Sequence, residues 1–385
     1  MRVLFTSTSG WGHIHPMVPL ARAFIDRGDD VLWATGDEVC GRLEQMGIAT
    51  AAAGLDDGVA MSRFRERFPE VAGVPPTERS DFMFPRLFGA VRAEQMLADL
   101  LPVARSFSPG LLVCDAADFA GPIAAALVSA PNITSSFGST LPAPRVTATG
   151  DVVAPLWAAH GLAARPFGGT YDHLYLDIYP PSLQSSDRSH IPSVQPLRPS
   201  DVVTGEDEPL PDWVADRSAA PLAYVTLGTV FSDDAVLASV LDGLRDLSVR
   251  VVVTVGPRGE PDALGPQPDN VHVARYIPQT QLLGHCSLVV SHAGSGTFLA
   301  ALAAELPQVC IPQAADQFFN AAACAKAGAG IALGPGAPSV YAVRDAVVAL
   351  LDDTAYRDAA RRVSGEIAAM PSPTEVADKL HATYS

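Results

Sequence analysis

Two short stretches hold the residue types and spacing that chemistry needs. Near the N-terminus, Ser9-Gly10-Trp11-Gly12-His13-Ile14-His15 places two imidazoles in a glycine-rich loop. Histidine suits general-base work near neutral pH, because its ordinary pKa is about 6.5. A neighbouring carboxylate would fix its tautomer and raise its basicity. Asp115 follows the apolar run Leu111 to Cys114; Asp118 is its rival, three residues on and better placed to cap the next helix. His13 reads either as a base or as a loop residue bonded to the backbone, and His15 as the latter. In the second half, His292-Ala293-Gly294-Ser295-Gly296-Thr297 joins an apolar run to Phe298-Leu299-Ala300-Ala301-Leu302. Glycines let the backbone approach a ligand, and the first amides of a helix have no intrahelical partner. The turn is therefore either a diphosphate site or a purely structural connection. Asp316-Gln317 offers a carboxylate and an amide that could grip vicinal sugar hydroxyls, or simply begin a helix.

The elements that must position these residues follow from periodicity. Val3-Leu4-Phe5-Thr6 reads as a buried strand, and Pro16 opens a helix with Met17, Leu20, Ala21 and Phe24 at helical spacing until Gly28. Val31 to Trp33 and Leu111 to Cys114 are further strands; 37–46, 82–107 and 119–128 are helical. Residues 54–80, rich in Asp, Gly, Arg and Pro, read as a long surface excursion. A proline-rich segment between about Pro192 and Pro221 holds Glu206-Asp207-Glu208 and breaks the rhythm. Strands then resume at 222–227, 249–255, 271–274, 287–291 and 308–311, with intervening helices. Alternation of this kind predicts an α/β chain of two doubly wound, Rossmann-like domains, with a ligand cleft between them. The expected boundaries are 1–200, a linker 201–220, 221–370, and a C-terminal helix in 371–385.

Composition narrows the partners. The 385 residues carry 26 Lys plus Arg against 42 Asp plus Glu, a formal charge of −16, so no basic footprint for nucleic acid is present. Helix amides could bind a polyanion without a basic patch. Five cysteines without a C-x-x-C pair point to a reduced, cytoplasmic protein, and no apolar run suggests a membrane span. His13-x-His15 alone cannot hold zinc, D-x-D is absent, and neither G-x-G-x-x-G, G-x-x-x-x-G-K-[ST] nor G-x-S-x-G occurs. No metal and no cofactor are expected.

Taken in order, these motifs resemble the family 1 glycosyltransferases of the GT-B fold over the whole chain. Gly12-His13-Ile14-His15-Pro16 is similar to the family's G-H-x-x-P, and Leu227-Gly228-Thr229 to the start of its donor domain. Tyr276-Ile277-Pro278-Gln279 resembles its base-binding segment, and the block from His292 through Pro307 and Pro312 to Asp316-Gln317-Phe318-Phe319-Asn320 is the most specific. Among members it looks nearest to actinomycete enzymes that place deoxysugars on polyketide, enediyne and similar products, an impression Tyr175 to Gln184 strengthens. The resemblance implies His13 as the base that deprotonates an acceptor hydroxyl, held by Asp115. It implies Thr229, Ile277, Gln279, His292, Gly294, Ser295, Gly296, Thr297, Asp316 and Gln317 as donor contacts. The implied reaction is a metal-free single displacement with inversion, from a nucleotide diphosphate sugar to an aglycone. Many relatives that use a uridine diphosphate sugar carry Glu eight positions after the histidine; here that position is Ala300, which favours a thymidine diphosphate donor. Met61, Phe64, Phe82, Phe84 and Phe88 suit a bulky apolar acceptor as a group, although for any single one core packing is the better account. A nucleotide-sugar epimerase on the same fold and a non-catalytic helper remain alternatives, and a homodimer is kept open.

Overall fold

Strands buried on both faces pair in parallel, because the crossover between them lays a helix on the sheet. The computed structural model describes the whole chain apart from residues 76–77, 185–186, 201–209, 216–219, 229–233 and 257–258. It divides into two compact units. The first comprises Met1–Ile178, Ser185–Thr204 and Met370–Ser385; the second comprises Tyr179–Gln184 and Gly205–Ala369.

The first unit holds a parallel seven-stranded sheet: β1 (Arg2–Thr6), β2 (Asp30–Thr35), β3 (Ala49–Ala52), β4 (Leu111–Asp115), β5 (Asn132–Ser135), β6 (Leu174–Asp177) and β7 (Val194–Pro196). Their order is β3-β2-β1-β4-β5-β6-β7. The second unit holds a six-stranded sheet: β8 (Leu222–Thr226), β9 (Arg250–Thr254), β10 (Val271–Ala274), β11 (Leu288–Ser291), β12 (Gln308–Cys310) and β13 (Gly330–Ala332), in the order β10-β9-β8-β11-β12-β13. In each sheet the order reverses between one pair of neighbours, β1/β4 and β8/β11. Loops leaving the carboxyl ends of such a pair diverge, and open α/β sheets bind ligands there. Thr6 pairs with Cys114, and Thr226 with Ser291. Chemistry-bearing residues at both switch points therefore come from adjacent strand ends.

Three expectations are corrected. The stretch 54–80 is not simply an excursion: it contains the helix Asp57–Arg67, which buries Ala60 and Phe64 against Leu87 and Val91. The tract 82–107 starts earlier, at Arg79, and opens into wider π turns over Pro85–Arg92 before the α-helix Ala93–Phe107. Pro85 lacks an amide hydrogen, so the regular ladder is interrupted there. Finally, Tyr179–Gln184 groups with the second unit although it lies before residue 200.

The last helix, Pro373–Tyr384, opens on a capping box between Ser372 and Glu375 with Pro at its first position. It belongs to the first unit, where Arg27 pairs with Asp378 and His381 Nδ1 lies 2.9 Å from Asp29. Asp29 also receives the N-terminal amine at 2.7 Å, so both chain ends converge on one buried carboxylate.

Candidate active site

In the first unit the loop after β1 turns into a short helix, Trp11–Ile14, that carries His13. Asp115 is the last residue of β4. His13 Nδ1 and Asp115 Oδ2 are 2.9 Å apart; the carboxylate is fully buried and the imidazole side chain keeps 19% of its surface exposed. The contact lies off the direction of a linear hydrogen bond, and the Asp115 carboxylate has no other hydrogen-bond partner among the described residues. Burial lowers the His13 pKa, but the adjacent Asp115 carboxylate, helped by Asp57 and opposed by Arg92, outweighs it and leaves the pKa raised. Asp57 is itself paired with the buried Arg92.

His15 and Asp118 take structural parts. The His15 ring packs on Trp11 at 4.9 Å, and burial with the nearby Arg42 charge pushes its pKa down to about 4. Asp118 Oδ1 accepts from the amides of Ala120 and Gly121, so it caps the helix Gly121–Val128.

Aromatic rings stand beside the base. Phe88 lies 5.6 Å from His13 between ring centroids, and Phe84 is 4.7 Å behind Phe88. Phe137, in the loop after β5, is nearer still at 4.3 Å. The sequence reading passed over Phe137, because β5 is only Asn132–Ser135 and gives no apolar run to flag the loop that follows it. Phe64, expected among acceptor contacts, is fully buried in its own cluster and cannot touch a ligand; Met61 and Phe82 pack against that cluster, Phe82 beneath Arg86.

In the second unit His292 follows β11 and Gly228 follows β8. The imidazole is enclosed by two glycines: a Cβ on Gly228 would lie 2.6 Å from its Cε1, and one on Gly294 would overlap its Nε2. Gly228 also has φ +79°, where a side chain is strained. Burial lowers the His292 pKa, with Asp316 and a bond to the Thr226 backbone opposing. Gly294 caps the nine-residue helix Ser295–Ala303 without a side-chain bond. Its first backbone bond runs from Phe298 to Gly294, leaving the amides of Ser295, Gly296 and Thr297 free of backbone partners. Thr297 Oγ1 donates to Gln279 Oε1 at 3.3 Å. Ile277 is buried beside Leu282 and Val252, while Tyr276 is exposed. Thr229 lies outside the described residues.

Asp316 immediately precedes the helix Gln317–Ala327. Ser295 Oγ donates to Asp316 Oδ2 at 2.5 Å, which joins the turn to the sugar-type pair. Gln317 contributes less than its residue type suggests. Its carbonyl oxygen accepts from the amides of Gln313 and Ala314 at 2.8 and 2.9 Å, leaving mainly its amino group for a ligand. Two residues missed as functional complete the cluster: the Tyr179 hydroxyl is 2.8 Å from Ser295 Oγ and donates to Asn320 Oδ1 at 2.6 Å. Among the described residues, no group of three or more His, Cys, Asp or Glu is arranged to hold a metal ion, and no helix is long and apolar enough to cross a membrane.

Two parallel α/β sheets, each with a polar cluster at its switch point, define a doubly wound α/β protein, and comparison with known proteins places it further. Residues 238–383 match the C-terminal domain family of erythromycin biosynthesis protein CIII-like proteins. L-demethylnoviosyl transferase of Streptomyces niveus is 32% identical, the alignment covering 99% of this chain and 98% of that protein. Elloramycin glycosyltransferase ElmGT of Streptomyces olivaceus is 30% identical, covering 100% and 98%. The solved structure of spinosyn rhamnosyltransferase SpnG superposes with a TM-score of 0.83 at 27% identity, over 99% of this chain and 100% of that one; it has also been solved with thymidine diphosphate and with spinosyn aglycone. The chain belongs to this family of GT-B natural-product glycosyltransferases and is a sugar-transferring enzyme.

Proposed function

We propose that the enzyme transfers a deoxysugar from a thymidine diphosphate donor to a hydroxyl of a hydrophobic natural-product aglycone, with inversion. The observation that carries this reading is the His13–Asp115 pair: a largely buried imidazole that keeps part of its surface open, backed by a buried carboxylate with no other partner among the described residues, flanked by Phe88 and Phe137. Such support suits a base that must gain and lose a proton, and the rings suit an apolar acceptor.

The steps follow from these side chains. The acceptor hydroxyl gives its proton to His13 as its oxygen attacks the anomeric carbon, and Asp115 stabilises the imidazolium that forms. The bond to the diphosphate breaks on the opposite face. The free amides of Ser295, Gly296 and Thr297 and the positive end of their helix take up the charge that develops on the leaving oxygen. Asp316 and the Gln317 amino group would orient the sugar. Ala300, buried on the same helix, offers no partner to a ribose hydroxyl, which fits a deoxyribose donor. SpnG, whose structure was solved with thymidine diphosphate, supports the same choice.

Thermal melting tests the donor. Thymidine diphosphate should raise Tm more than uridine diphosphate at equal concentration, since stabilisation grows as RT ln(1 + [L]/Kd) and is larger for the tighter ligand. The opposite order would remove the argument from Ala300. An epimerase would instead convert the donor with no aglycone present.

A further inference from the structure

We propose that Tyr179 is a positioning residue of the donor site, acting through Ser295 as a hydrogen-bond relay that releases Asp316 when a diphosphate arrives. The role rests on the diphosphate reading given above. Tyr179 is 2% exposed, its ring packs on Phe298 at 6.3 Å, and its hydroxyl is aimed at the start of the helix Ser295–Ala303.

Tyr179 meets Ser295 and Asn320; Ser295 meets Asp316; Asn320 Nδ2 faces Ala293 O at 2.8 Å and Ser295 Oγ and Asp316 Oδ2 at 3.2 Å each. Those six contacts draw on four protons, one from each hydroxyl and two from the amide. The cluster therefore has more than one arrangement. In one arrangement Ser295 donates to Asp316 and Tyr179 to Asn320. When a diphosphate oxygen approaches the free amides, the Ser295 proton can turn to it while Tyr179 donates to Ser295 Oγ in its place. No bond is made or broken apart from hydrogen bonds, and every proton stays on its own atom. Asp316 Oδ2 is then free to accept a sugar hydroxyl. Tyr179 would thus couple diphosphate capture to sugar capture, so that the carboxylate opens only when the phosphates are in place.

A double-mutant cycle tests this with Tyr179→Phe, Ser295→Ala and the double variant. Calorimetry would read thymidine diphosphate binding, and NMR titration the binding of thymidine, which has no phosphate. Steady-state kinetics would give KM for donor and acceptor separately. Phe keeps the ring packed on Phe298, and Tm of each variant checks the fold; Ser295→Ala probes the relay from its other end. Each single change should weaken thymidine diphosphate and raise donor KM roughly tenfold, leaving thymidine affinity and acceptor KM unchanged. The double variant should be no worse than Ser295→Ala alone. Additive losses, an unchanged donor KM in Tyr179→Phe, or equal weakening of thymidine would overturn the relay while leaving the transferase reading intact. Wild-type protein that binds thymidine but gains nothing from the diphosphate would defeat the diphosphate reading itself.

Discussion

Replacing Asp115 with Asn isolates the electrostatic part of the proposed base. The two groups are 2.9 Å apart, and Asp115 is fully buried. Unit charges at that separation attract by roughly 6 kcal/mol at an effective dielectric of about 20, most of it offset by the desolvation of both groups. What remains becomes visible when one partner is removed: breaking a buried pair costs about 3–5 kcal/mol. The pair is fully charged only once the imidazole has taken the acceptor proton, so that cost falls on the transition state. The expected loss in kcat is about 10²- to 10⁴-fold. The pH dependence gives an independent sign. His13 acts as a base only when neutral, and its pKa is raised in the folded protein, chiefly by Asp115 working against burial. Wild-type kcat/KM should therefore rise with pH through that raised value and then level off. In Asp115→Asn the burial contribution is left with less opposition, so the rise should move to lower pH and the plateau should drop. Product formation followed by chromatography between pH 5 and 9 measures both. A variant with the wild-type plateau, or with an unmoved rise, would refute the assignment.

Three further outcomes follow. Phe64→Ala should lower stability by about 3–5 kcal/mol in denaturant unfolding, because its ring is fully buried. Phe88→Ala should instead raise acceptor KM with a smaller stability change, since that ring is only partly buried and faces His13. Gly294→Ala should force the enclosed His292 ring to move, destabilising the protein by about 1–3 kcal/mol and weakening thymidine diphosphate in calorimetry; unchanged binding would show that the ring is not needed there.

The parts of the fold that could be read from sequence are those whose apolar runs are long enough to require burial on both faces. Val3 to Thr6, Leu111 to Cys114 and the strands of the second sheet up to Cys310 declare themselves in this way. β3, β5, β6, β7 and β13 do not. Ala49–Ala52 and Gly330–Ala332 are short and built of small residues, β7 ends in Pro196, and pairing with an already formed neighbour makes them strands. The helix Asp57–Arg67 was hidden because its buried face is only Ala60 and Phe64 amid charged residues. Phe64 therefore stayed in the group of acceptor candidates, with nothing local to single it out as core.

The sites divide similarly. Local motifs gave His13 and the turn from His292 to Thr297, since a glycine loop between a strand and a helix has a physical meaning of its own. The Tyr179–Asn320 bond spans 141 residues, and the enclosure of His292 by Gly228 bridges two strands; neither leaves a trace in local spacing. Asp316 could be picked out by type, but not its engagement with Ser295.

The central claim, that His13 removes the acceptor proton, is tested most directly by His13→Ala under single-turnover conditions alongside calorimetric titration with thymidine diphosphate. The account predicts sugar transfer slowed by about 10²- to 10⁴-fold with nucleotide affinity within a factor of two of wild type. Transfer at the wild-type rate in that variant would contradict it.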